Sequence, residues 1–367
     1  MSPLPPFLVA LAGLVVGAAC GFAVRRARLC SFAALESALI GHDWRRMRVF
    51  GLALALALAL TQALVAAGWL QPEETAFLPD RVAVLANLFG GALFGLGMAL
   101  VGTCAFGSLL RLGGGDLRSL VVILVYAGLA YGAMRGVLAP LRLYAESFVV
   151  ATSGGEAASL IDVLGAAAGR DLRLWLTLAL SGGLLAAFLA DARLRAMPRM
   201  IAAGVTLGLG VAAGWAVTSA ADDFDAARRI TSLTFVAPVA RAVYGGMIDP
   251  AIWLDFGVGT VFGAPLGALA SARLNDDFRW EAFDDPREMR RHLLGAALMG
   301  VGGLLAGGCT IGQGLSAGSL AALSWPFALL GMAAGARLGM AILVEGTLRE
   351  IVAERLARWR GRDDREA

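Results

Sequence analysis

Residues 90–113, GGALFGLGMALVGTCAFGSLLRLG, are answered by residues 295–318, GAALMGVGGLLAGGCTIGQGLSAG. Gly90, Gly95, Gly97, Gly102 and Cys104 recur as Gly295, Gly300, Gly302, Gly307 and Cys309 with every spacing kept, and Gly107 and Gly113 fall opposite Gly312 and Gly318. A weaker echo pairs Gly13 and Gly17 with Gly204 and Gly208. Self-similarity over such lengths marks a chain assembled from copies of one unit. Small residues at these spacings let helix backbones approach closely in a bilayer, which accounts for most of the glycines. Packing does not explain why each copy ends in Gly-x-Cys with a glycine three residues further on. A span that stops at a cysteine and restarts beyond a glycine leaves free N–H groups at the new helix start, where a partial positive charge favours an anion. Each copy therefore predicts a thiol beside an anion-favouring helix end, with Gly102, Gly107, Gly307, Gly308 and Gly312 shaping the two turns.

The chain around these turns is built for a membrane. Of 367 residues, 58% are hydrophobic and 16% charged, against about 45–50% and about 25% for a soluble domain. A spanning helix needs about 20 apolar residues, and stretches of that kind run at about residues 5–24, 49–70, 83–101, 119–139, 171–190, 200–219, 251–270, 292–307 and 320–345. The expectation is an all-α polytopic membrane protein with about nine transmembrane helices. The first stretch lacks a basic lead-in and a small-residue cleavage pattern, so it reads as a retained span. Residues 29–40, 105–112, 224–236 and 311–320 are too short or too polar to cross, yet too apolar for ordinary loops. Poor in aromatic residues and flanked by glycine, they read as four half-helices dipping into the membrane rather than as amphipathic surface helices.

All 31 basic residues are arginine and the net charge is +3, which fits anchors at helix ends and excludes a nucleic-acid surface. Arginines cluster after the first, third, fifth and seventh spans, from Arg25 and Arg26 through Arg111 and Arg118 to Arg193, Arg195, Arg199, Arg287, Arg290 and Arg291. The alternate loops carry Glu73, Glu74, Asp80, Asp222, Asp223 and Asp225. Positive loops stay inside, so the amino end is expected outside and the carboxyl end in the cytoplasm. Residues 1–190 and 191–348 then form two inverted repeats, and residues 349–367 a cytoplasmic tail. Inverted copies that meet around a midplane site are a common transporter architecture.

The four cysteines, Cys20, Cys30, Cys104 and Cys309, show no CxxC or Cys/His ligand spacing, so no structural metal is expected. Nor does any nucleotide-binding loop or other cofactor signature appear. Cys20 lies within a span and reads as packing. Thr103, Ser108, Thr310, Gln313 and Ser316 sit near the turns and could donate to an anion or satisfy local backbone. Arg28 and Arg111 lie beside the inner loops, and Arg135 and Arg337 fall within the fourth and ninth spans, where a charge is either functional or reaches out to the interface.

The segments RRARLCSF (25–32), GTCAFGSLLRLGGG (102–115) and GGCTIGQGLSAG (307–318) together resemble the YeeE/YedE family of sulfur transport membrane proteins, and the resemblance covers both halves. It implies uptake of thiosulfate across the bacterial inner membrane, an hourglass-shaped helical fold with membrane-buried loops, and a pathway carrying Cys30, Cys104 and Cys309. Cys20 is outside the family pattern. Some relatives are linked to selenium metabolism. A neutral thiol is a weak donor and a weak acceptor, so thiols spaced along a narrow path can guide a sulfur oxyanion without trapping it, whereas a thiolate would repel it. The expected order runs from Cys309 near the outer mouth through Cys104 to Cys30 near the cytoplasm, where a sulfur-carrier protein would receive the cargo. Competing readings are transport of another sulfur or selenium compound, an intramembrane sulfurtransferase working through a cysteine persulfide, and soft-metal transport using Met98 and Met299 with the thiols.

Overall fold

The computed structural model describes residues 4–78, 81–148, 150–151, 159–161, 163, 173–221 and 230–345. The chain begins with α1 (Pro6–Arg26), α2 (Ser31–Leu39) and α3 (Arg45–Ala66), then α4 (Val84–Val101), α5 (Ala105–Gly113), α6 (Leu117–Arg135) and α7 (Ala139–Glu146). It continues with α8 (Arg173–Leu189), α9 (Ala192–Arg195), α10 (Pro198–Ser219), α11 (Ala237–Val243), α12 (Phe256–Leu274), α13 (Pro286–Leu305) and α14 (Ser324–Glu345). The only strands among the described residues are a two-residue antiparallel pair, Arg81–Val82 with Val150–Ala151. Helices of 17 to 22 residues stand at each of the nine stretches expected to span. Six are long and apolar enough to cross a bilayer. This is a polytopic helical membrane protein, and the apolar character of α1 or α4 on every side is what lipid on one face and protein on the other demand.

Glycines set the packing. α1 lies along α12 and α4 along α14, while α3 packs on α10 and α6 on α13. The first two pairs touch backbone to backbone. A Cβ placed on Gly95 of α4 would stand 2.8 Å from the amide nitrogen of Ala336, and one on Gly331 of α14 would stand 3.0 Å from that of Ala92. In the other seam, a Cβ on Gly17 would lie 2.7 Å from Thr260 Cα and one on Gly263 would lie 2.8 Å from Ala18 N. Small-residue seams of this kind gain dispersion contact and weak Cα–H···O bonds without a hydrophobic effect between the helices.

Ion pairs gather one end of the bundle. Arg28 bonds Asp277 at 3.1 Å and Arg48 bonds Asp191 at 3.0 Å. Arg118 reaches Asp116 at 3.0 Å, Glu288 at 3.4 Å and also Glu281. Glu73, Glu74 and the Arg241–Asp255 pair lie around a cavity away from this arginine-rich end. Because Arg118 ties the start of α6 to the segment before α13, Arg118→Met is expected to lower stability by about 1–2 kcal/mol, read as a lower thermal unfolding midpoint in detergent.

Short helical segments stand near three of the four stretches expected to dip into the membrane: α2, α5, and residues 310–319, whose centre, Gly312–Ala317, is π-helical. The fourth differs. Residues 224–229 lie outside the described residues, residues 231–236 are non-helical, and the helix begins only at Ala237. Pro238 is the reason, since proline suits the first turn of a helix and disfavours helical backbone before it. The tail at 349–367 also lies outside the described residues.

Candidate functional site

The cysteines stand where helices restart. α4 ends at Gly102 with φ of 76°, and α13 is followed by Gly307 with φ of 74°. Left-handed backbone at both points is what glycine permits cheaply. Two residues later each copy reaches a cysteine. Cys104 Sγ accepts the Gly107 N–H at 3.3 Å, and Cys309 Sγ accepts the Gly312 N–H at 3.3 Å. The thiol thus takes the part a serine usually plays at a helix start. A side chain on Gly107 would collide with Thr103 Oγ1, and one on Gly312 would stand 2.5 Å from Thr234 Oγ1. Each cysteine therefore has a threonine hydroxyl across the first turn, Thr103 on one side and Thr234 on the other.

The two turns meet in the protein interior. Cys104 and Cys309 are buried. Cys30, half-buried, caps α2 with extended backbone and places its Sγ 3.6 Å from Thr103 Oγ1. Cys30 and Cys104 both line a cavity of about 10 Å³, together with Ser31, Gly107 and Ile311, room for about one water. Ser31 Oγ and Thr310 Oγ1 lie 2.9 Å apart, so residues flanking Cys30 and Cys309 bond directly. Between the sites stands aromatic packing. The Phe106 and Phe235 rings are 4.5 Å apart between centroids, and Tyr126, which has both Cys104 and Cys309 as neighbours, donates to the Phe235 carbonyl at 3.4 Å.

A second cavity, of about 740 Å³, reaches Gly307 and Gly308, the two residues before Cys309. Gly307, Gly308, Thr234 and Val236 line it near the thiol, with Glu73, Glu74, Arg241 and Asp255 contributing its charges. The remaining polar residues have varied placements. Gln313 is buried against Gly307 and accepts from Ser324 Oγ at 3.5 Å, Ser316 donates to the Leu233 carbonyl at 2.7 Å, and Ser108 donates to the Cys104 carbonyl at 3.2 Å. Arg111 donates to the Gly102 carbonyl at 2.8 Å and so clips the turn before Cys104. Arg28 is exposed and turned to Asp277. Arg135, at the last turn of α6, and Arg337 of α14 are exposed, and neither lines either cavity. Cys20 packs beneath α10 with its Sγ 3.6 Å from the Thr206 carbonyl.

Sequence reasoning did not single out Thr234, Phe235, Tyr126, Ser31, Arg241 or Asp255. Arg241 had one signal available, as an arginine three residues after Pro238 in an otherwise apolar segment.

The chain is similar to the thiosulfate transporter TsuA of Escherichia coli (strain K12), 27% identical over 325 residues that cover 84% of this chain and 87% of that protein. It is similar also to the thiosulfate transporter TsuA of Spirochaeta thermophila, 26% identical over 328 residues covering 85% and 93%. The sulphur transport family matches residues 26–338, a span that contains Cys30, Cys104, Cys309 and both glycine runs. The chain belongs to that family, known also as YeeE/YedE.

Proposed function

We propose that this protein takes thiosulfate up across the bacterial inner membrane along a path marked by Cys309, Cys104 and Cys30. The observation that carries the reading is the matched pair of thiol caps: in each half a sulfur at a helix start receives a glycine N–H at 3.3 Å beside a threonine hydroxyl. Cargo enters the 740 Å³ cavity, passes Gly307, Gly308 and Thr234 to reach Cys309, crosses the Phe106–Phe235 constriction, and leaves past Cys104, Thr103, Thr310 and Cys30. Neutral thiols and hydroxyls offer a dianion several weak, interchangeable partners in place of one deep well, which favours passage. The small cavity between Cys30 and Cys104 has no room for a five-atom ion, so the described shape is closed and passage needs the aromatic packing to part.

In this reading nine helices span the bilayer, and the halves at 1–190 and 191–348 are inverted repeats around an hourglass-shaped route. The supporting pattern is the reciprocal packing of α1 with α12, α3 with α10, α4 with α14 and α6 with α13. The arginine-rich end faces the cytoplasm with the tail, the amino end faces the periplasm, and a cytosolic sulfur carrier takes the product. Other sulfur or selenium oxyanions are the nearest alternative cargo. A sulfurtransferase would need a base to make a thiolate; the chain has no lysine, His42 is exposed beside Asp43 and Arg193 away from the cysteines, and His292 is engaged with the Glu288 carbonyl at 2.9 Å.

Proteoliposomes should accumulate labelled thiosulfate, with unlabelled thiosulfate competing more strongly than sulfate, sulfite or selenite. Absence of accumulation removes the reading, and stronger competition by selenite reassigns the cargo. A cysteine gaining the mass of one sulfur atom during turnover would favour the sulfurtransferase.

A further inference from the structure

We infer that Arg241 is the residue that recruits the oxyanion from solution, and that Asp255 is the counter-charge it exchanges for the cargo. This rests on the transport reading above and adds to it a selecting residue. Arg241 is the one cation among the described residues that line the 740 Å³ cavity, where Glu73 and Glu74 stand exposed at the rim. Its side chain is 30% exposed and that of Asp255 16%.

The pair is close but poorly made. Arg241 Nη2 lies 2.7 Å from Asp255 Oδ2, yet Arg241 Nε and Asp255 Oδ2 are both buried without an aligned hydrogen-bond partner. Native proteins rarely leave buried donors unused, and an orphaned guanidinium edge beside a cavity marks where an acceptor belongs. The two residues differ in freedom. Asp255 is fixed, because its Oδ1 accepts the Gly257 N–H at 3.2 Å and caps α12. Arg241 rests over that first helical turn, where a Cβ on Gly257 would lie 3.4 Å from its Nη2; glycine there leaves the guanidinium space to turn.

The chemistry suits a sulfur oxyanion. A planar guanidinium presents parallel N–H donors that two oxygens of one ion can accept together. A lone buried arginine would hold a dianion too firmly for transport. Competition from Asp255 for the same donors removes that difficulty, since the carboxylate returns as the ion moves on toward Gly308, Thr234 and Cys309.

Opposite responses of the two partners test the assignment. In proteoliposomes, Arg241→Gln is expected to raise the KM for thiosulfate about tenfold or more, with maximal rate within about twofold of wild type. Arg241→Lys should restore part of the affinity, because it keeps the charge and loses the fork. Asp255→Asn still caps α12 but frees the guanidinium, so KM and maximal rate should both fall. A pair that only braces the fold would lower folded yield and thermal midpoint in Arg241→Gln and Asp255→Asn alike while leaving KM at the wild-type value; that result overturns the inference. So does a rise in KM for both variants. Failure of the wild-type protein to take up thiosulfate overturns the transport reading instead.

Discussion

Serine at Cys104 or at Cys309 should cut thiosulfate uptake about 100-fold while the protein still folds. Serine is a strong helix cap, so the Gly107 and Gly312 N–H groups keep an acceptor and both turns survive. The chemistry presented to the cargo changes. A hydroxyl is a firmer hydrogen-bonding group than a thiol and is smaller and less polarizable, so one of several weak, interchangeable sites becomes a deeper one from which the anion leaves slowly. A site that holds the ion about 2–3 kcal/mol more firmly than its neighbours raises the barrier to the next site by as much, which converts to about 100-fold in rate. Initial uptake rates, normalised to folded protein, measure it. Cys20→Ser is the internal control, because Cys20 packs against α10 and lines neither cavity, so uptake should stay close to wild type. More than half of the wild-type rate in either Cys104→Ser or Cys309→Ser would take the thiols out of the pathway.

The second large effect is structural. Gly95→Val should abolish a stable fold, because a Cβ there runs into the Met332 carbonyl oxygen and stands 2.8 Å from Ala336 N, both backbone atoms of α14 that no rotamer change can move. Overpacking a well-filled core costs about 1–3 kcal/mol when side chains can shift, and a clash with a helix backbone lies at or above the top of that range. Gly183→Val in α8 is the comparison, since a Cβ there meets nothing within 4 Å. Fluorescence-detected size exclusion and thermal midpoints in detergent separate the two. A Gly95→Val protein as stable as wild type would mean that α4 and α14 are not in backbone contact.

Much of this was legible in the sequence, for identifiable reasons. Spanning helices declare themselves because a bilayer demands apolar length, so the stretches at 83–101 and 200–219 map onto α4 and α10 within two residues. The Gly-x-Cys-x-x-Gly runs could be read because left-handed backbone and a cramped first turn leave glycine little competition. Residues 230–243 were less legible. Their start at α11 is set by Pro238, and the role of Thr234 depends on its meeting Gly312 from a distant part of the chain. Cations were harder still. Nothing local says that Arg28 turns to Asp277 or that Arg337 faces outward, because an arginine's long stem lets tertiary surroundings choose its partner. Arg241 escaped notice for the same reason.

The four sulfurs are unevenly sealed. Cys20, Cys104 and Cys309 are shut away, and Cys30 alone is partly open. A molecule at rest therefore offers alkylating reagents a single slow target, and any motion wide enough to admit cargo must expose another. Counting adducts per polypeptide by intact mass, with and without thiosulfate present, would turn these cysteines into a built-in clock for how often the barrier parts.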